Sequence, residues 1–245
     1  VLQTAVHACS YLGSASTSGQ YIVPNSALQP PADTRKAVYV VYTRASSFPA
    51  LLHSLQTYYG QHTTKDLNTY VWLDVLCLPQ CPPQPTHLVL QHINPLLRSM
   101  SVIVVLDESA ELLCRAWCLY EIAIAAWATR PSSRRWLHIV PNAFQGDELC
   151  LIDAIFSASF AEAKATGAED VAALGASLQR EMPPLEPAHV GSLVADTLWV
   201  GLSQQMLRAA AAATKNDAAS LHAVQVRPLA TICVGTVFHF QVHAL

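Results

Sequence analysis

The chain has 245 residues, 52% of them hydrophobic and only 13% charged, with a mean hydropathy of +0.28. That much apolar material builds a substantial core and excludes a largely disordered chain. A net charge of −3 and a pI near 6.4 provide no basic surface for nucleic acid, and no apolar run reaches the ~18 residues of a membrane span.

Residues 1–35 are rich in Ser, Ala, Gly, Pro and Gln and show no sustained period, which reads as a flexible N-terminal extension punctuated by Pro24, Pro30 and Pro31. The start has neither a basic n-region nor an initiator Met, so it reads as a trimmed chain and not a signal peptide. A first strand begins near Ala37 and runs through Val38–Tyr42. Phe48, Leu51, Leu52, Leu55 and Tyr58–Tyr59 then recur at helical steps, predicting a helix that Gly60 closes. Tyr70–Val75 is a second strand. Residues 76–86 carry four prolines and two cysteines and are expected to form a loop. Leu88–Met100 follows as a helix kinked or restarted at Pro95.

Ser101–Asp107 is a nearly continuous apolar strand, the pattern of a sheet covered on both faces. From Ala110 to Ala128 one helical run is predicted, with Leu112, Leu113, Ala116, Leu119, Tyr120, Ala123, Ile124 and Trp127 forming a broad apolar face. A fourth strand covers Trp136–Val140. Further helices are expected over Leu149–Ala165, Asp170–Glu181 and Val190–Ala213. Residues 214–245 form a tail in which Thr231–Phe240 has strand character: a fifth strand, an edge pairing and a stretch foreign to the fold stay open. Strands alternating with helices imply a parallel, doubly wound α/β sheet. In such a sheet ligands bind at the carboxyl ends of the strands, so the loops after Tyr42, Asp74 and Asp107 are the ones to watch.

The residues Trp72 and Asp74 on a strand, Gln80 after it, and Arg115, Trp117, Cys118, Leu119 and Glu121 on a later helix resemble the TIR (Toll/interleukin-1 receptor) domain family. The likeness is to its TIR-like branch in plants, algae and protists, and covers about Lys36 to Val140. It implies a flavodoxin-like, TIR-type domain over residues 36–213 with helices on both faces. The implied function is cytoplasmic signal transduction in innate immunity or defence, with other TIR domains as self-association partners.

In enzymatic members of that family the Glu of the W-x-x-x-E pattern cleaves the nicotinamide glycosidic bond of NAD, a role the resemblance assigns to Glu121. It likewise implies Arg44 as a basic residue after the first strand and Asp74 as an acidic one at the end of the second. The chemistry asks for a carboxylate beside an oxocarbenium-like ribose, and nicotinamide already leaves as a neutral molecule from a cationic substrate. Tyr42 and Trp117 are the aromatic candidates for the nucleotide, with NAD as substrate and no resident cofactor. The alternative is a non-catalytic self-association scaffold.

Cys77 with Cys81, and Cys114 with Cys118, give two C-x3-C pairs that fit zinc-like spacing. Free Cys more often behaves as a small apolar side chain. No metal is therefore expected, and Cys114 and Cys118 are expected to be buried against the sheet. The odd count of seven Cys without framework spacing favours a reduced compartment.

Overall fold

The first strand, β1 (Ala37–Val41), is buried at all five positions, because its β-branched and aromatic side chains have helices to meet on both sides of the sheet. It pairs in parallel with β2 (Tyr70–Trp72) on one edge and with β3 (Ser101–Val105) on the other. β4 (Leu137–Val140) extends the sheet beyond β3, also in parallel, giving the order β2-β1-β3-β4. The structure, a computed structural model, describes residues 37–44, 46–62, 70–78, 85–107, 109–129, 137–140, 148–165, 167–183 and 185–216. The N-terminal extension, Gln80, Cys81 and the strand-like stretch Thr231–Phe240 lie outside the described residues.

Alternation along β1 sorts its side chains between two layers. Val38 and Val40 join Ile103, Val105 and Val140 on one face, where α1 (Phe48–His62) covers them with Leu51, Leu55 and Tyr58. These three recur at steps of four and three, so one stripe of α1 meets the sheet. The helix continues through Gly60 to His62, so Gly60 does not end it as expected. Tyr39 points to the opposite face, toward α4 (Ala116–Ala128), which contacts both β1 and β3.

Two short elements replace expected features. The second strand stops at Trp72, and Asp74 opens a single helical turn, α2 (Asp74–Cys77), inside the stretch read as strand and loop. Pro95 is accommodated within a continuous α3 (Thr86–Ser99). The expected run Ala110–Ala128 is broken: Glu111–Cys114 form a 3-10 turn, and Arg115 is extended before α4 begins. Two backbone partnerships cause the break. Asp107 accepts the N–H groups of Glu111 and Leu112, both at 2.8 Å. Lys164 then bridges the chain, donating to the Cys114 carbonyl at 2.7 Å and accepting from Ala116 N–H at 2.9 Å. Ala110, buried at the head of the turn, adopts a left-handed conformation with φ of 56°.

Beyond the sheet come α5 (Glu148–Phe156) and α6 (Ala168–Glu181), the former ending nine residues short of the expected Ala165. α3, α4 and α6 contact one another around a buried polar knot. There the Tyr120 hydroxyl donates to Asn94 Oδ1 at 2.7 Å and lies 2.9 Å from Ser177 Oγ. Arg98 pairs with Glu181 at the rim of the same contact. α7 (Val190–Asn216) starts where Gly191 passes so close to the Ala158 carbonyl that a Cβ would collide with it. The chain divides into two compact units, residues 1–195 and 196–245, with the boundary inside α7. Among the described residues no helix is long and apolar enough to cross a membrane.

Candidate active site

Strand order reverses between β1 and β3: β2 lies to one side of β1, and the later strands lie to the other. A crevice opens outside the carboxyl ends of strands at such a point, which makes it the expected place for a ligand. Two adjoining features are found there, and Tyr42 belongs to both.

The first is a cluster at the ends of β1 and β2. The Tyr42 hydroxyl donates to Asp74 Oδ1 at 2.6 Å, and Arg44 reaches Asp74 Oδ2 through Nε at 3.0 Å and a terminal nitrogen at 2.6 Å. Asp74 Oδ1 also accepts the Val75 N–H at 2.6 Å, a local bond that holds the carboxylate at the start of α2. Arg44 is largely exposed, with 55% of its side chain accessible, against 23% for Asp74. The Asp74 hydrogen bond and charge outweigh the effect of burial and hold the guanidinium pKa above its ordinary value. Burial and the same hydrogen bond push the Tyr42 phenol well up.

Glu121 approaches from the opposite layer. It sits on the second turn of α4, where Oε1 accepts the Tyr39 hydroxyl at 2.8 Å. Tyr39 in turn stacks on Trp72, its cross-strand neighbour, with ring centroids 4.4 Å apart and an interplanar angle of 17°. Burial, reinforced by the Asp74 charge, pushes the Glu121 carboxyl from its ordinary 4.5 up to about 8. The Tyr39 hydrogen bond and Arg44 oppose that rise without cancelling it. A carboxyl moved this far is held in surroundings that resist its charge, a state common where a group is tuned for a reaction.

Of the expected site residues, Tyr42, Arg44 and Asp74 are thus brought into one hydrogen-bonded group, and Glu121 is close enough to feel the charges of the last two. Trp117 is half-buried one turn before Glu121 on α4, and it takes no part in that group. The aromatic pair beside Glu121 is Tyr39 and Trp72, which the resemblance did not assign to a site. Their signal was present in the strand alternation. A tyrosine in a strand buried on both faces needs a partner for its hydroxyl, and one opposite a tryptophan has a ring to stack on.

The thiols divide differently from the expectation. Cys118 is buried, with Sγ 3.5 Å from the Tyr42 carbonyl oxygen, and burial raises its pKa well above that of a free thiol. Cys114 is exposed, because it ends the 3-10 turn before the buried face of α4 begins. Cys77 is half-buried, and no group of three metal-ligating side chains occurs among the described residues.

The second feature is a cavity of about 290 Å³ between β1, β3 and the start of α1. Tyr42 and Leu51 form part of its wall, and Ser47, Ser54, Asp107 and Glu111 face it. Asp107, only 7% exposed, organises the β3 end: beyond Glu111 and Leu112 it accepts the Ser109 N–H and hydroxyl, both at 3.1 Å. Glu121 does not line this cavity. No family model, curated protein or solved structure matches the chain.

Proposed function

We propose that this chain is a TIR-type signalling module on a flavodoxin-like sheet, and that it cleaves nicotinamide from NAD with Glu121 as the catalytic carboxylate. The observation that carries this reading is the Glu121 carboxyl: raised to about 8, and coupled to Asp74 and Arg44 at the carboxyl ends of β1 and β2. The strand order supports it, since 2-1-3-4 is how a flavodoxin-like sheet begins. So does the convergence of Arg44 and Asp74, which the resemblance assigns to the site, with Tyr42, one of the aromatic candidates.

The chemistry follows from the electrostatics. With a carboxyl pKa of about 8, only about one molecule in ten carries the Glu121 charge at neutral pH before substrate arrives. The pyridinium of NAD is a cation, and a cation beside Glu121 favours the ionised form. Substrate binding thereby brings out the carboxylate that stabilises the oxocarbenium-like ribose as the C–N bond breaks. The bonding pair goes to nicotinamide, which departs neutral, and water supplies the oxygen of ADP-ribose. Tyr39 steadies the carboxylate through its hydroxyl, and Arg44 offers the exposed cation of the cluster to the pyrophosphate.

One observation favours the second reading, a non-catalytic scaffold that associates with other TIR domains: Arg44 and Asp74 already satisfy each other. NAD consumption by concentrated protein separates the two. For the enzyme, Glu121→Gln lowers turnover on the order of 10²–10³ fold. Arg44→Ala mainly raises KM, because a phosphate contact holds the ground and transition states alike. Equal, measurable turnover in wild type and Glu121→Gln refutes the role of Glu121. Zero turnover in wild type leaves the scaffold.

A further inference from the structure

The Asp74 carboxylate has both of its oxygens in use. Oδ1 accepts the Tyr42 hydroxyl and the Val75 N–H, each at 2.6 Å, and Oδ2 accepts Nε of Arg44 at 3.0 Å and Nη2 at 2.6 Å. A carboxylate offers about four lone-pair sites, so these four donors fill it. A ribose hydroxyl enters only by displacing one of them, an exchange that gains no bond.

Arg44 is placed the other way. Both of its bonds to Asp74 run along the edge from Nε to Nη2, so Nη1 takes no part in the pair, and 55% of the side chain is accessible. A guanidinium carries its N–H donors in a rigid fork that matches a phosphate. Held by one edge, it loses less rotamer freedom on meeting an anion than a free arginine does. Asp74 is itself fixed from two sides, by Tyr42 just after β1 and by the Val75 N–H in the first turn of α2.

We propose that Asp74 is a positioning residue that never meets the substrate: it holds Arg44 in the orientation that receives a phosphate, and so favours phosphate-bearing substrates. The inference rests on the reading of the chain as an NAD-cleaving enzyme. It adds that affinity for the phosphate passes through the Asp74–Arg44 pair, whereas affinity for the ribose does not.

Steady-state nicotinamide release by the full chain from NAD and from nicotinamide riboside, which has the same ribose and no phosphate, tests the assignment. At about pH 9 Glu121 is largely ionised, so the Asp74 charge does not act on KM through it. Asp74→Asn keeps an amide oxygen for Tyr42 and the Val75 N–H but turns the acceptor facing Arg44 into a donor. KM for NAD should rise about three- to fivefold, the worth of a largely exposed ion pair, with kcat unchanged. KM for nicotinamide riboside should stay the same. Added to Arg44→Ala, Asp74→Asn should change KM for NAD no further. If nicotinamide riboside is not turned over, this double variant alone decides. An equal rise in KM for both substrates overturns the proposal by placing Asp74 on the ribose. Additive effects in the double variant overturn it too, as does a KM for NAD that is unchanged or lower in Asp74→Asn, the sign of a pair that merely occupies Arg44. Wild type that releases no nicotinamide from NAD refutes the enzyme reading itself, and the inference falls with it.

Discussion

Replacing Glu121 by Gln should stabilise the protein at high pH while removing its proposed activity. In the folded chain the carboxyl keeps its proton up to about pH 8, whereas in the unfolded chain it releases it near 4.5. Between those values the folded state binds more protons, so stability falls as pH rises. The contribution is fully present below about pH 4.5 and is lost by about pH 8. A rise from 4.5 to about 8 corresponds to at most about 5 kcal/mol. Glu121 is half-buried, and screening by solvent reduces the effect to about 2–3 kcal/mol. Gln has nearly the same shape, accepts the Tyr39 hydroxyl through its amide oxygen and has no charge to bury. At about pH 9 the variant should therefore melt roughly 5–10 °C above wild type. At about pH 4 the two should coincide. Thermal unfolding followed by circular dichroism across that range is the assay. A wild-type/variant difference independent of pH would refute the claim that burial and Asp74 raise this carboxyl.

Other positions test the frame that holds the site. Gly191→Ala should cost about 1–3 kcal/mol in chemical denaturation despite the better helix propensity of Ala, since its Cβ would meet the Ala158 carbonyl. An unchanged denaturation midpoint would show that α7 shifts freely there. Asp107→Ala should cost about 2–3 kcal/mol by stranding the N–H groups of Glu111 and Leu112, and hydrogen exchange at those two amides should accelerate. Slow exchange retained in the variant would assign the break before α4 to another cause. Tyr120→Phe removes the hydroxyl between Asn94 and Ser177 and should destabilise by about 1–2 kcal/mol in chemical denaturation, and an unchanged midpoint would show that the hydroxyl adds nothing to the packing of α3, α4 and α6.

The central strands were legible because Val38–Val41 and Val102–Val105 are runs of β-branched and aromatic residues with no competing helical period. Their alternation also carried the division into two layers. What escaped depends on backbone partners distant in sequence or on a single side chain. The run from Ala110 has a helical period throughout, and nothing local announces that Lys164 will bridge Cys114 and Ala116. Cys114 was misplaced for the same reason, since burial followed from a helix that starts two residues later. In the site, the strand ends pointed to the loops after Tyr42 and Asp74, and the resemblance singled out Arg44 and Asp74 there; the structure joins all three by hydrogen bonds. Trp117 was assigned by motif spacing, which says nothing of where an indole points. Tyr39 was read only as a strand residue and Trp72 only as a strand and motif residue, although their cross-strand register stacks the two rings, with the Tyr39 hydroxyl on Glu121.

Nicotinamide release from NAD, measured from about pH 6 to about pH 9 with wild type and Glu121→Gln, tests the catalytic assignment most directly. For a carboxylate that must be ionised in the free protein, kcat/KM rises with pH along a single limb. Its midpoint should lie near 8, the value set by burial and Asp74. The account predicts that limb in wild type and its absence, at a rate lower on the order of 10²–10³ fold, in Glu121→Gln. A wild-type profile flat over the same range, or one that Glu121→Gln reproduces in height and shape, would contradict it.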